Sequence, residues 1–344
     1  IVMSIPMPGH HTSALLPANA TQRQELLQSV QRLAKVIAEH DVVFLLMDSR
    51  ESRWLPAFLA AAYGIPCINA ALGFDSYVVM RHGHRGHAKK EQTPKESENP
   101  EENGENSEKS DSLEDYCTPA PHLSIDLPPI PTLPLPPTLT CYFCIDITAP
   151  GNSFKQRTLN QQCTVTRPGL AYVSSGLAVE MAVAMLHAKQ GARAHAVIDK
   201  EERKKLAEKA RELYKKKDVL PDDDDDFSET VAKSGKDSSD LCLQCGEACG
   251  DMCGDECGGL GGMPHQIRGS FYESEQVLMR GTAQPYCCCC GNPVQRVFRE
   301  EGLLFLENAL CVDGYLEEIS GLAELVRGAD DREWEHDDFD EEDF

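Results

Sequence analysis

Leu26, Val30, Leu33 and Ile37 recur at helical spacing, with Leu27 and Ala34 beside them, and predict an amphipathic helix over 21–39. Asp41 then precedes Val42-Val43-Phe44-Leu45-Leu46-Met47, an unbroken apolar run with the character of a buried strand. A polar turn, Asp48-Ser49-Arg50-Glu51-Ser52, leads into a second helix through Trp54, Leu55, Phe58 and Leu59. Short strands follow at Ile65–Asn69 and Tyr77–Met80. Helix, buried strand, helix, strand predicts an α/β unit with a mostly parallel sheet.

From about Gly83 to Thr140 this patterning fails. Lys, Glu, Ser and Asn give way to Pro-rich Leu127–Pro137, a composition expected to form a disordered insertion with some extended character. Order resumes at Cys141. Residues 170–188 are apolar almost all round, through Leu177, Val179, Met181, Val183 and Leu186, and predict a buried helix. Lys200–Lys217 has the pattern of a charged, solvated helix, and 218–262 is low-complexity sequence rich in Asp, Gly and Cys. A third ordered stretch runs from about Pro264 to Val326, and no internal repeat is found.

Charge sharpens these divisions. Residues 91–115, 221–230 and 330–344 carry net charges of −8, −6 and −9, together the whole formal charge of −23, and the rest of the chain balances. The acidity therefore belongs to three solvated segments rather than to a folded face. No basic stripe interleaved with aromatic residues is present, so no nucleic-acid footprint is expected. No apolar run approaches the ~20 residues of a membrane span, and Ile1–Leu16, broken by Pro6 and Pro8, does not read as a signal peptide. Fifteen cysteines clustered as C-x-x-C and C-C-C-C predict thiol and metal chemistry in a reducing compartment, the cytoplasm.

Three sets of residues are candidates for chemistry. Cys141 and Cys144 form one C-x-x-C pair, and Cys287 and Cys290 a second. Four thiolates are the closed tetrahedral set that structural Zn2+ takes, although buried free cysteines would read the same way, and Cys288 and Cys289 are adjacent spare thiols. Cys163 is a lone cysteine in polar sequence just ahead of an apolar helix, with Arg157 and Arg167 flanking it. Those neighbours favour a thiolate, and an inert, partly buried thiol is the alternative. Asp48 directly follows a strand, where a carboxylate can hold a metal bound to phosphates, or can instead cap the helix that follows. The cysteines at 242, 245, 249, 253 and 257 either bind a second metal or reflect compositional bias. No G-x-G-x-x-G follows any strand, so the α/β unit is expected to have its first strand upstream of Ile1, in a longer protein.

Several long runs, in order, carry a resemblance to a known family. They are Phe44-Leu45-Leu46-Met47-Asp48-Ser49-Arg50-Glu51-Ser52-Arg53-Trp54-Leu55-Pro56, Ile68-Asn69-Ala70-Ala71-Leu72-Gly73-Phe74-Asp75, Val78-Val79-Met80-Arg81-His82-Gly83, Gln161-Gln162-Cys163-Thr164-Val165 and Pro264-His265-Gln266-Ile267-Arg268-Gly269. Over roughly 1–83, 139–188 and 263–327 the chain resembles the autophagy-related protein 7 family, activating enzymes for ubiquitin-like proteins. The resemblance implies a partial Rossmann-like (ThiF-type) adenylation domain, of α/β class, with a four-cysteine zinc site, two disordered insertions and an acidic C-terminal tail. It implies that 1–83 is the C-terminal portion of the nucleotide-binding unit and 84–138 an insertion. Residues 139–188 would hold the first zinc half-site, the catalytic cysteine and the apolar helix. A second insertion would fill 189–262, the second zinc half-site 263–327, and the tail 328–344.

The same resemblance makes Cys163 the cysteine that carries the glycyl thioester. It makes Asp48 the carboxylate beside ATP and Mg2+, and Cys141, Cys144, Cys287 and Cys290 the zinc ligands. It implies autophagy ubiquitin-like proteins and their conjugating enzymes as partners, a homodimer, and a place in the cytoplasm and at the preautophagosomal structure. Trp334, Phe339 and Phe344, embedded in acids, would suit capture of a ubiquitin-like protein, or the tail only solubilises. The chain departs from the pattern in its long insertions, in Asn160 where an Asp is usual, and in lacking the Gly-rich nucleotide loop. Two rival readings are a non-catalytic binding fragment and a sulfur-carrier adenylyltransferase.

Overall fold

The computed structural model describes residues 3, 5–8, 20–84, 126–132, 137–146, 148–152, 165–188, 190–194, 196–197 and 263–330. The low-complexity stretch with its five cysteines, the 200–217 segment, most of both insertions and nearly all of the acidic tail lie outside them, as does Cys163.

Helix α1 (Ala20–Ala38) places Leu26, Val30, Ala34 and Ile37 on its buried face, as their spacing predicts. Strand β1 (Val43–Leu45) follows, then α2 (Arg50–Tyr63), β2 (Cys67–Leu72) and β3 (Ser76–Arg81). After the first insertion come α3 (Pro168–His187) and, beyond the second, β4 (Gln266–Ser270) and β5 (Glu275–Met279). Four helices close the described chain: α4 (Asn292–Glu301), α5 (Leu303–Cys311), α6 (Tyr315–Ser320) and α7 (Leu322–Asp330).

The described strands form one sheet in the order β1-β2-β3-β4-β5. Only β1 and β2 are parallel, joined through α2; the pairs β2–β3, β3–β4 and β4–β5 are all antiparallel. The mostly parallel sheet expected from the sequence is therefore corrected to a mixed one. The reason was visible in the spacing: Gly73–Asp75 leaves too few residues between β2 and β3 for a crossover, which takes a dozen or more. The buried-strand reading of 42–47 is corrected as well. Leu45 is buried, but Phe44 and Leu46 are 38% and 66% exposed, so one face of β1 is open.

Side chains on β2 alternate between two cores. Cys67 faces α1, α2 and the C-terminal helices, while Ile68 and Ala70 face α3. The first core is built on rings: Phe58 stacks on Trp54 at 5.1 Å and on Phe305 at 5.2 Å, and meets Phe298 edge-on at 5.1 Å. This fixes α4 and α5 against α2, well within the range where aromatic pairs attract. Arg81 closes the second core. Its buried guanidinium donates to the carbonyls of Pro264, Ala192 and Ala194, and burial pulls its pKa down to about 10.

Two further expectations change. Part of the Pro-rich segment is packed rather than free, since Leu127 and Ile130 rest on the first core. Tyr63 Oη donates to the Pro128 carbonyl at 3.3 Å and Gln31 Nε2 to that of Asp126 at 2.7 Å. Proline, with φ fixed and no N–H to satisfy, lets an extended chain lie along helices without pairing. Helix α3 forms where expected but is not enclosed by the described residues. Leu170, Ser174, Ala178, Met181 and Met185 face the sheet, while Tyr172 and Leu186 are 81% and 83% exposed. By length and composition α3 could cross a membrane, with a mean hydropathy of 1.5, contrary to the expectation that no run approaches that length. Its inner face nonetheless packs on β2 and β3 as part of the domain.

Candidate functional site

The parallel strands β1 and β2 run side by side until β1 ends at Leu45, opposite Asn69, and β2 continues to Leu72. In such sheets ligands sit beyond the C-terminal strand ends. Asp48 is there, three residues past β1. It is not the helix cap, because Ser49 fills that role: its Oγ accepts the Ser52 N–H at 3.1 Å. Among the described residues nothing bonds the Asp48 carboxylate, so the arrangement separates it from the structural duty that the sequence left open. Asn69 lies beneath, fully buried, and its side-chain amide has no partner among the described residues.

The first turn of α2 connects this edge to the cysteines. Arg50 pairs with Asp146 at 2.9 Å and donates to the Thr148 carbonyl at 2.9 Å. Arg53 donates to Tyr142 Oη at 3.1 Å and to the Met47 carbonyl, with its guanidinium 5.0 Å from the Tyr142 ring centre. Trp54 Nε1 donates to the Cys288 carbonyl at 3.1 Å, and Gln295 Nε2 to that of Cys289 at 2.8 Å. The sequence reading gave no role to Arg50, Arg53 or Gln295. Arg50 and Arg53, at i and i+3 in the first turn of a helix that is apolar from Trp54 onward, were the available signal.

Cys141, Cys144, Cys287 and Cys290 converge, all buried, with their Sγ atoms within 4.8 Å of one another. Cys141 and Cys287 lie 3.5 Å apart, Cys144 and Cys290 3.4 Å, and Cys141 and Cys144 3.8 Å. A tetrahedral zinc with bonds of about 2.3 Å requires sulfurs about 3.8 Å apart, so the donor set fits that ion. Each pair also wraps its first sulfur in backbone amides. Phe143 N–H donates to Cys141 Sγ at 3.4 Å, and Cys289 and Cys290 N–H donate to Cys287 Sγ at 3.4 and 3.5 Å. Such bonds stabilise thiolates. Hydrogen bonds from Cys141 and its neighbours hold Cys287 well below the usual thiol range, whereas burial pushes Cys141 well above it. Gly291 permits the tight turn, since a Cβ there would collide with the Cys287 carbonyl oxygen.

His265 braces the strand ends beside the first cysteine pair. Gly281 N–H donates to its Nδ1 at 3.1 Å, which leaves Nε2 to donate to the Thr140 carbonyl at 3.0 Å. Burial lowers its pKa to about 4, and burial with the nearby His265 charge lowers that of His82 to about 3. Both are held neutral in the fold, whereas the unfolded chain takes up protons below about pH 6.5. Stability from these groups is thus complete above pH 6.5 and lost as pH falls towards 4, by about 1.4 kcal/mol per pH unit for each proton. The His265→Asn protein should show a shallower decline in urea midpoint between about pH 6.5 and 4.5 than the parent; equal slopes would contradict this assignment.

A sheet that turns from parallel to antiparallel, with a carboxylate past its parallel pair that nothing bonds among the described residues and a four-thiol centre behind α2, defines an α/β domain. Residues 16–218 match the ThiF family, and the chain belongs to that family. More particularly, it is 33% identical over 340 residues to ubiquitin-like modifier-activating enzyme ATG7 of Gibberella zeae, covering 98% of this chain and 35% of that protein. It is 34% identical over 328 residues to the Homo sapiens enzyme of the same name, covering 94% and 36%. With the Dictyostelium discoideum enzyme it shares 29% identity over 336 residues, covering 98% and 35%. The resemblance read from short runs thus extends along nearly the whole chain. The chain spans about a third of the length of these relatives.

Proposed function

We propose that this chain supplies the thioester-forming part of an activating enzyme for ubiquitin-like proteins of autophagy, with Cys163 as nucleophile. The observation that carries the reading is where the segment bearing Cys163 is tied down. Cys163 lies outside the described residues, but Arg167 N–H donates to the Phe74 carbonyl at 2.9 Å, and Phe74 stands just past the end of β2. Val165, two residues after Cys163, is 64% exposed, and two residues reach at most about 7 Å. The described residues that follow Cys163 are therefore held beside the end of β2, which supports a nucleophile acting near that edge.

The chemistry follows from the weakness of a carboxylate as an electrophile. Attack of the C-terminal glycine carboxylate on the α-phosphorus of ATP forms an acyl-adenylate and releases pyrophosphate. The Cys163 thiolate then attacks the acyl carbon; the S–C bond forms, the C–O bond to AMP breaks, and AMP departs with the electron pair. Mg2+, where bound, would offset phosphate charge, and in this reading Asp48 would hold it. Zn2+ on Cys141, Cys144, Cys287 and Cys290 would tie the segments on either side of the second insertion to α2. A second thioester exchange passes the acyl group to a cysteine of the conjugating enzyme.

Homodimerisation through this domain and a cytoplasmic location belong to the same proposal. The open apolar face of α3 supports the first, and the eight described cysteines, all free thiols, support the second. In the complete enzyme, mixing with an autophagy ubiquitin-like protein and ATP should yield a conjugate that dithiothreitol releases. Pyrophosphate exchange without any reducible conjugate would favour the sulfur-carrier reading instead.

A further inference from the structure

Arg167 is the last residue before α3, which Pro168 begins. A residue before proline is steered towards extended backbone, and Arg167 sits at φ −66° and ψ 137°. Its side chain runs back over the sheet edge between two aromatic rings. The guanidinium carbon lies 5.8 Å from the Phe74 ring centre and 5.8 Å from that of Phe271. Phe74 belongs to the turn joining β2 to β3, and Phe271 to the turn joining β4 to β5. Those turns are neighbours, because Ser76 pairs with Ser270 and Phe271 N–H donates to the Asp75 carbonyl at 2.7 Å.

Both rings are largely exposed, at 60% and 49%, and add nothing to either core. Among the described residues no carboxylate pairs with the Arg167 guanidinium. The cation is held by ring faces, a contact that fixes its position without an ion-pair partner.

We infer that Arg167 is a positioning residue: with Phe74 and Phe271 it clamps the root of the nucleophile's segment to the crevice end of the sheet. The inference rests on the proposed role of Cys163. The clamp narrows the volume that the thiolate searches for the acyl-adenylate. Releasing it lowers the fraction of enzyme with the sulfur in place, and thioester formation slows in proportion. Adenylation, completed before the sulfur is needed, is untouched.

The test uses the complete enzyme with ATP and a labelled autophagy ubiquitin-like protein. Pyrophosphate exchange and single-turnover thioester formation are measured side by side. Arg167→Ala should leave exchange, and the KM for ATP, within about twofold, while thioester formation slows about tenfold, the effect of losing a cation held by two rings. Phe74→Ala with Phe271→Ala should give a similar loss, and combining all three should be no worse than Arg167→Ala alone. Arg167→Lys, which keeps a cation over the rings, should recover part of the rate. Losses that multiply, or exchange that falls as far as thioester formation, would overturn the clamp while leaving Cys163 as nucleophile. A reducible conjugate on a Cys163→Ala control would overturn both.

Discussion

The Cys163→Ser protein is expected to form the acyl-adenylate at the parental rate and then stall, with turnover down by about a thousandfold or more. Serine places an oxygen where the sulfur stood. Its hydroxyl stays protonated near neutral pH, whereas a thiol is partly ionised and intrinsically more nucleophilic. Attack becomes slow, and the ester that accumulates is a poor donor to the next cysteine. Dithiothreitol should leave the trapped conjugate intact while releasing the parental one. Exchange of pyrophosphate provides the internal control, because it reports the step before the sulfur acts. Loss of exchange together with conjugation would mean that position 163 supports the domain rather than the chemistry.

Removing a zinc ligand should produce the second large effect. Cys141→Ala and Cys290→Ala are each expected to lose the metal and to lower the melting temperature by about 10 °C or more. In small zinc domains the ion contributes about 10–16 kcal/mol of apparent folding free energy, and here it would join two segments far apart in the chain. The remaining thiols would be left buried and unpaired, which adds to the cost. Cys288→Ala and Cys289→Ala are the controls. Both side chains are buried in the first core, yet neither belongs to the convergent set. These two should keep zinc and lose only packing. Stoichiometric zinc in the ligand variants, measured by atomic emission after gel filtration, would count against the site.

Local patterning fixed much of this architecture in advance. The 3.6-residue period of α1 and the apolar block of α2 were legible because each helix buries one continuous stripe. So was the pairing of two C-x-x-C half-sites, since four thiolates make the closed tetrahedral set that structural zinc takes. What patterning could not supply was the partner of each face. The run 42–47 is apolar on both sides, yet Phe44 and Leu46 are left uncovered by the described chain. Helix α3 is apolar all round, yet the described chain packs only its inner face. An apolar residue states that it should be covered, not by what. The reversal of strand direction after Leu72 was misread for a different reason: helix–strand alternation was weighed above loop length, and loop length was the stronger constraint. The clamp on Arg167 had no sequence signal, because Phe74 and Phe271 meet it only through the register of β3 and β4.

The central claim is that one sulfur, at position 163, accepts an activated acyl group, and the most direct measurement locates that group on the chain. The complete enzyme, charged with ATP and a ubiquitin-like protein and quenched in acid, would be digested and analysed by mass spectrometry without reduction. The account predicts the glycyl remnant in thioester linkage on the peptide containing Gln161, Gln162 and Cys163. A remnant on any of the other fourteen cysteines, with Cys163 left as a free thiol, would contradict it.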